Sequence, residues 1–137
     1  MQLAVCVLVR DSEGRVLSIS RPHNPDDVGL IGGGVEPEDG DPVADRAGTL
    51  RRAAARELRE EAGIQVDLEQ LRPVFAAMGR TRWAVTFVVD GPVGAPVLGL
   101  NEEGIVSWAS AAAVCAGSFG DYNRALFAAL ASGEDRA

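Results

Sequence analysis

The chain has 137 residues, 47% hydrophobic and 24% charged, the size and composition of one globular domain with a single core rather than a multidomain, disordered or repeat protein. Thirteen Lys and Arg against 20 Asp and Glu leave a net charge of -7, a poor match for a nucleic-acid backbone. An anionic ligand therefore needs either a local basic patch or a carboxylate cluster that holds a divalent cation.

In chain order, Leu3 to Val9 is rich in Val and Leu, and the turn cluster Asp11 to Gly14 separates it from Val16 to Ser20, which predicts a β-hairpin. The start of the chain is apolar but has no basic segment and no small-residue cleavage site, and no run approaches the ~18 apolar residues of a membrane span. A cytoplasmic protein with no membrane partner is expected. Arg21 to Asp27 holds two prolines and reads as a loop leading to Leu30, Ile31 and three consecutive glycines, Gly32 to Gly34. A second, acidic loop spans Glu36 to Gly48. Thr49 to Ala62 is the strongest helix, with Thr49 as candidate N-cap and Gly63 as the stop. Strands are predicted at Gln65 to Asp67, Pro73 to Met78 and Trp83 to Val89. A Gly/Pro-rich connection, Asp90 to Gly99, then leads to the acidic turn Asn101 to Gly104 and a strand from Ile105 to Trp108. Two helices, Ser110 to Ala116 and Tyr122 to Ala131, close the chain. Strands and helices mix without strict βαβ alternation, so the expected fold is an α/β sandwich on a mixed sheet, as one domain over residues 1–137.

The acids concentrate on the strongest helix. Glu57, Glu60 and Glu61 stand at i, i+3 and i+4 and share one stripe, while Ala55, Leu58 and Ala62 supply a face that packs on the sheet. Like charges at this spacing repel by a few tenths of a kcal/mol, so the stripe needs solvent, arginines or a cation. Arg52, Arg56 and Arg59 are at hand, and the plain alternative is a solvated face of Arg-Glu pairs.

The order of residues around the stripe is more specific. Arg56-Glu57-Leu58-Arg59-Glu60-Glu61-Ala62-Gly63-Ile64 reads R-E-U-x-E-E-x-G-U, with U a bulky aliphatic residue, and follows Gly32-Gly33-Gly34-Val35-Glu36 upstream. These segments resemble the signature of the Nudix hydrolases, MutT-like enzymes, G-x(5)-E-x(7)-R-E-U-x-E-E-x-G-U. The second half matches at every fixed position. In the first half, the family glutamate falls on Asp39 when counted from Gly33 and on Gly48 when counted back from Arg56, and an insertion of about nine residues within Gly40 to Gly48 reconciles the two registers.

The resemblance implies a Nudix-type α/β/α sandwich and a pyrophosphohydrolase that cleaves a nucleoside diphosphate linked to another moiety, as in nucleoside triphosphates or nucleotide sugars. It implies Mg²⁺ or Mn²⁺ as cofactor, with Glu60 and Glu61 as principal ligands and the Gly32 carbonyl completing the site. Glu57 would bind metal or act as general base, and Arg56 would orient it. An acid just before a strand ending in tryptophan adds a ligand or base in some members, and here Glu102 or Glu103 holds that place before Trp108. Asp39 stands in for the displaced glutamate with a shorter reach. Dimers are frequent in the family, which leaves a homodimer open. The rival reading is a module of this fold that binds a nucleotide or a protein without turnover, its pocket occluded by the inserted loop.

Three further residues are weighed for substrate binding. Arg80 and Arg82 flank Trp83 and can meet a phosphate, and His23 lies in the loop before the glycines. Each is equally an ordinary surface residue. Trp83 and Phe87, four apart on one strand face, read as core rather than as a stacking platform.

Overall fold

The computed structural model describes residues 2–133. Seven strands form one sheet: β1 (Leu3–Leu8), β2 (Val16–Arg21), β3 (Asn24–Gly34), β4 (Leu71–Met78), β5 (Trp83–Val89), β6 (Gly99–Leu100) and β7 (Ile105–Ala109). Their order is β4-β5-β1-β3-β2-β7-β6. β1 and β5 run parallel and every other neighbouring pair is antiparallel, so the sheet is mixed as expected.

Alternation along the strands divides the core in two. Val5, Val7, Leu17, Ile31 and Phe87 face helix α1 (Arg46–Ala62) and pack with its Leu50, Ala53, Ala54, Leu58 and Ala62. Leu8, Val16 and Leu30 face the opposite side, where helices α2 (Ala111–Cys115) and α3 (Gly120–Gly133) cover them with Val114, Leu126 and Leu130. The result is the α/β/α sandwich. Phe87 is buried and Trp83 packs against the same cluster, so both serve the core. On α3 the buried row is Tyr122, Leu126 and Leu130 at i, i+4 spacing, with Tyr122 Oη 2.8 Å from Thr86 Oγ1. Ala125, which falls outside this row, is exposed.

Four local expectations differ from what is found. β1 and β2 are joined by a tight turn, with Leu17 donating to Val9, yet they diverge beyond it and do not form a hairpin. The cause is β3, whose first half pairs with β2 through Leu30↔Ser18 and whose last four residues pair with β1 through Gly34↔Ala4. Most of the loop expected at Arg21 to Asp27 is therefore the start of β3. Pro25, which has no N–H, falls where the register shifts and needs no partner there. Residues 65–67 are not a strand, because Asp67 caps the 3-10 turn Leu68–Gln70 and its N–H binds Gln70 Oε1 at 2.9 Å. Finally, α1 starts earlier than expected: Asp45 is the N-cap, accepting from the Gly48 amide at 3.0 Å, and Thr49 is buried inside the first turns. Gly63 does end the helix, with φ 68 and its amide returned to Arg59 and Leu58.

Among the described residues no helix is long and apolar enough to cross a membrane.

Candidate active site

The split of β3 between two partners creates the site. Val35 donates to the Leu3 carbonyl, so in the alternating antiparallel ladder Gly32 and Gly34 direct their N–H and C=O groups away from β1. β2 has already departed at that point, and α1 supplies the partners instead. The Gly32 amide donates to Glu61 Oε1 at 2.9 Å, and the Gly34 carbonyl accepts from Arg56 Nη2 at 3.0 Å. The Gly32 carbonyl thus opens on the same side as Glu61.

Glycine is required here by space. A Cβ on Gly32 would lie 2.2 Å from the Val5 carbonyl oxygen, and one on Gly33 would lie 2.7 Å from Glu57 Oε1. The absence of side chains lets the helix carboxylates rest against the strand.

Arg56 organises the helix stripe. Its Nε and Nη2 bind Asp39 Oδ1 and Oδ2, each at 2.9 Å, and its Nη1 binds Glu57 Oε1 and Glu60 Oε1, each at 2.9 Å. With the Gly34 carbonyl, a single guanidinium serves five acceptors, a fork geometry that lysine cannot reproduce. Asp39 is 3% exposed and also accepts from the Glu36 amide. Burial opposes its ionisation, but the Arg56 hydrogen bonds outweigh this and hold its carboxyl below the usual aspartate range. Asp39, on the 3-10 turn Pro37–Asp39, is thus placed at the network rather than displaced from it. The following loop is tied from outside by Arg52, whose Nε donates to the Asp39 carbonyl at 2.6 Å, and Val43 at the loop is 94% exposed.

The three glutamates differ in setting. Glu60 is half exposed, with 47% of its side chain accessible. Glu57 is largely buried, and burial, aided by the charges of Glu60 and Glu103, raises its pKa against the pull of Arg56. Glu61 is buried beside Gly32 and lies outside the reach of Arg56; burial, with Glu57, Glu103 and Glu60 around it, pushes its pKa up to about 8. Among the described residues no three acidic side chains already converge as ligands on one point, since Arg56 holds Glu57 and Glu60 while Glu61 turns to the strand. The donor set nevertheless suits a hard divalent cation. Glu57 and Glu61 lie against the same glycine strand, beside the open side of Gly32, and among the described residues Glu61 has no cationic partner.

Of the two turn acids, Glu103 is the one whose charge bears on Glu57 and Glu61. Arg82 lies over the strand end, where a Cβ on Gly34 would be 2.8 Å from its Nη1, and it lines a cleft with Gln2, Leu3, Glu36 and Pro42. Arg80 acts instead on Asp27, near the other end of β3. His23 is exposed in the β2–β3 turn, eight or more residues along β3 from Gly32, about 25 Å of strand at ~3.3 Å per residue. The residue that sequence reasoning passed over is Asn101, which binds the end of α1 to this turn. Its signal was an Asn opening a Gly-bounded turn.

The family model for the NUDIX domain matches residues 1–125. Among solved structures, the fold is similar to one from a study of MutT from the fish pathogen Aliivibrio salmonicida and from Vibrio cholerae, at 20% identity, covering 96% of this chain and 98% of that one with a TM-score of 0.67. It is also similar to the dihydroneopterin triphosphate pyrophosphohydrolase of E. coli, at 22% identity, 90% and 91% coverage and a TM-score of 0.64. The ORF135 protein of E. coli is similar at 23% identity, 95% and 90% coverage and a TM-score of 0.62. No curated protein matches the chain. With the Arg56-centred carboxylate helix lying against a glycine strand in this fold, and a family match over most of its length, the chain belongs to the Nudix family and is a Nudix hydrolase.

Proposed function

We propose that this Nudix hydrolase is a cytoplasmic pyrophosphohydrolase that cleaves a nucleoside diphosphate linked to another moiety, a nucleoside triphosphate or a nucleotide sugar, with Mg²⁺ or Mn²⁺. The observation that carries the reading is Glu61, a buried carboxylate with no cationic side chain paired to it among the described residues, set beside Glu57, Glu60 and the open side of Gly32. Glu60, Glu61 and the Gly32 carbonyl would hold the cation, with Glu103 adding a third carboxylate. Bound there, a divalent cation would supply neutralisation of phosphate charge and polarisation of a phosphorus–oxygen bond.

The chain's own residues do the rest. Glu57, with its raised pKa, takes a proton from the attacking water, whose oxygen forms the new bond to phosphorus. The bridging P–O bond breaks and its electron pair leaves with the departing phosphate. Arg56 acts as a positioning residue, since all its donors are spent on Asp39, Gly34, Glu57 and Glu60. Arg82, over Gly34, meets a phosphate or the attached group in the neighbouring cleft. The triphosphate substrate named for the E. coli pyrophosphohydrolase of the same fold supports the triphosphate class.

A panel of nucleoside triphosphates and nucleotide sugars, assayed with Mg²⁺ and Mn²⁺ for release of nucleoside monophosphate, tests the proposal. Turnover of at least one compound is expected, and silence across the panel would sink it. A second expectation separates the glycines. Gly33→Ala pushes the Glu57 carboxylate off Arg56 and lowers kcat by about 10²-fold, the scale of a 1 Å misplacement, with little change in urea unfolding. Gly32→Ala meets the Val5 backbone instead and costs roughly 1–3 kcal/mol of stability in the same unfolding measurement.

A further inference from the structure

Turn 101–104 carries no regular structure of its own, yet it is fixed at both ends. Asn101 Nδ2 donates to the Glu61 carbonyl at 3.0 Å, one of the last four helix carbonyls, which find no partner within the helix. Two of its neighbours are also answered: the Ala62 carbonyl accepts from Val97 at 2.8 Å, and the Arg59 carbonyl accepts from Gly63 at 2.9 Å. On its other side, Asn101 Oδ1 accepts from the Glu103 amide at 2.7 Å and the Gly104 amide at 3.2 Å. The Asn101 amide donates to the Gly104 carbonyl at 2.8 Å, and the Ile105 amide is held by Ser20 Oγ at 2.9 Å. One side chain therefore binds the backbone of Glu61 with its donor and the backbone of Glu103 with its acceptor.

We infer that Asn101 is a positioning residue of the active site, a bridge that sets the distance between Glu61 on α1 and Glu103 on the turn so that both carboxylates serve one cation. The inference rests on the proposed cation site and adds a residue outside the family signature. Glu103 is exposed, and without the bridge its turn keeps the β6–β7 pairing, the Ser20 bond to Ile105 and the upstream Val97 bond to Ala62, but loses its side-chain tie to Glu61. Groups that orient metal-holding residues typically change affinity or activity about 10–100-fold when removed.

The test uses the full chain, with Mn²⁺ binding read by electron paramagnetic resonance without nucleotide, and kcat and KM on the best substrate of the panel. Asn101→Ala is expected to weaken Mn²⁺ binding and lower kcat about tenfold, close to the effect of Glu103→Gln, with KM little changed. The double variant should be no worse than Glu103→Gln alone, because Asn101 acts through Glu103. Asn101→Asp keeps both acceptor bonds of the turn and lacks the donor to Glu61, so it should match Asn101→Ala and controls for loss of the turn. Additive losses in the double variant, or wild-type behaviour of Asn101→Asp beside an impaired Asn101→Ala, would overturn the bridge while leaving the cation site in place. Wild-type Mn²⁺ binding and kcat in Glu103→Gln would remove Glu103 from the site and the inference with it. Failure of the wild type itself to bind Mn²⁺ would instead bring down the reading on which the inference stands.

Discussion

Arg56→Ala unfolds at a melting temperature lower by on the order of 10 °C, a loss of about 3–5 kcal/mol, and retains little hydrolysis. The size of the effect follows from what the substitution strands. Asp39, 3% exposed, keeps its buried carboxylate and loses both Arg56 bonds, and the Gly34 carbonyl, Glu57 and Glu60 lose theirs. Removing one member of a buried pair costs more than the pair contributes, because the remaining charge is left unsolvated. Arg56→Lys is expected to fall close to Arg56→Ala, since an ammonium is a point donor and five acceptors are arranged around a planar fork. The pH dependence gives a second reading. The carboxyl of Asp39 is held below its usual range in the fold, so it contributes stability above the ordinary aspartate pKa and loses it as pH falls through the lowered one. In Arg56→Ala the burial remains without the partner, and the sign reverses: protonation of Asp39 then relieves the fold, and the gap between variant and wild type narrows toward acid pH in urea unfolding curves.

Glu61→Gln separates catalysis from stability in opposite directions. Hydrolysis should fall by about 10²-fold or more, the scale on which removal of a single electrostatic contact to the transition state is felt. The metal-free fold should gain. Glu61 has an ordinary pKa of 4.5 and a folded one pushed up to about 8 by burial, so the folded chain binds more protons across that window. Stability of the wild type without metal therefore declines as pH rises from about 4.5 to 8. Gln keeps the oxygen that accepts from Gly32 and carries no charge to desolvate. Thermal unfolding in EDTA at pH 8 should place Glu61→Gln above wild type, whereas at pH 5 the two should nearly coincide. Mn²⁺ should raise the wild-type midpoint by mass action and leave the variant unmoved. A variant less stable than wild type at pH 8 in EDTA would mean that Glu61 holds the strand by its charge.

How far the sequence discloses this molecule depends on whether the signal is local. The run Arg56 to Ile64 states its helix, its stripe and its αL stop within nine residues, and all three are found. The glycines announce a close backbone approach, and Glu57 and Glu61 are what approaches. The fate of β1 and β2 is not local. Two apolar runs around a four-residue turn cluster promise a hairpin, and only β3, which borrows one partner for each half, prevents it. Asp39 and Asn101 illustrate the same limit at the site. Each is a short polar residue in a loop, a type that serves turns everywhere, and its role depends on a guanidinium or a carbonyl brought from α1 by the tertiary fold. That the charge of Glu103 reaches Glu57 and Glu61 likewise depends on the fold of the turn, which successive residues in a sequence cannot supply.

The central claim is that the α1 carboxylates hold a cation used to break a diphosphate linkage. It is tested most directly by initial rates of nucleoside monophosphate release from the best panel substrate, with and without Mg²⁺, in wild type and Glu60→Gln. Glu60 is half exposed, so its substitution leaves the fold intact and isolates the chemistry. The account predicts turnover that vanishes in EDTA, returns with Mg²⁺ or Mn²⁺, and falls by about 10²-fold in Glu60→Gln. Metal-independent turnover, or full activity in Glu60→Gln, would contradict it.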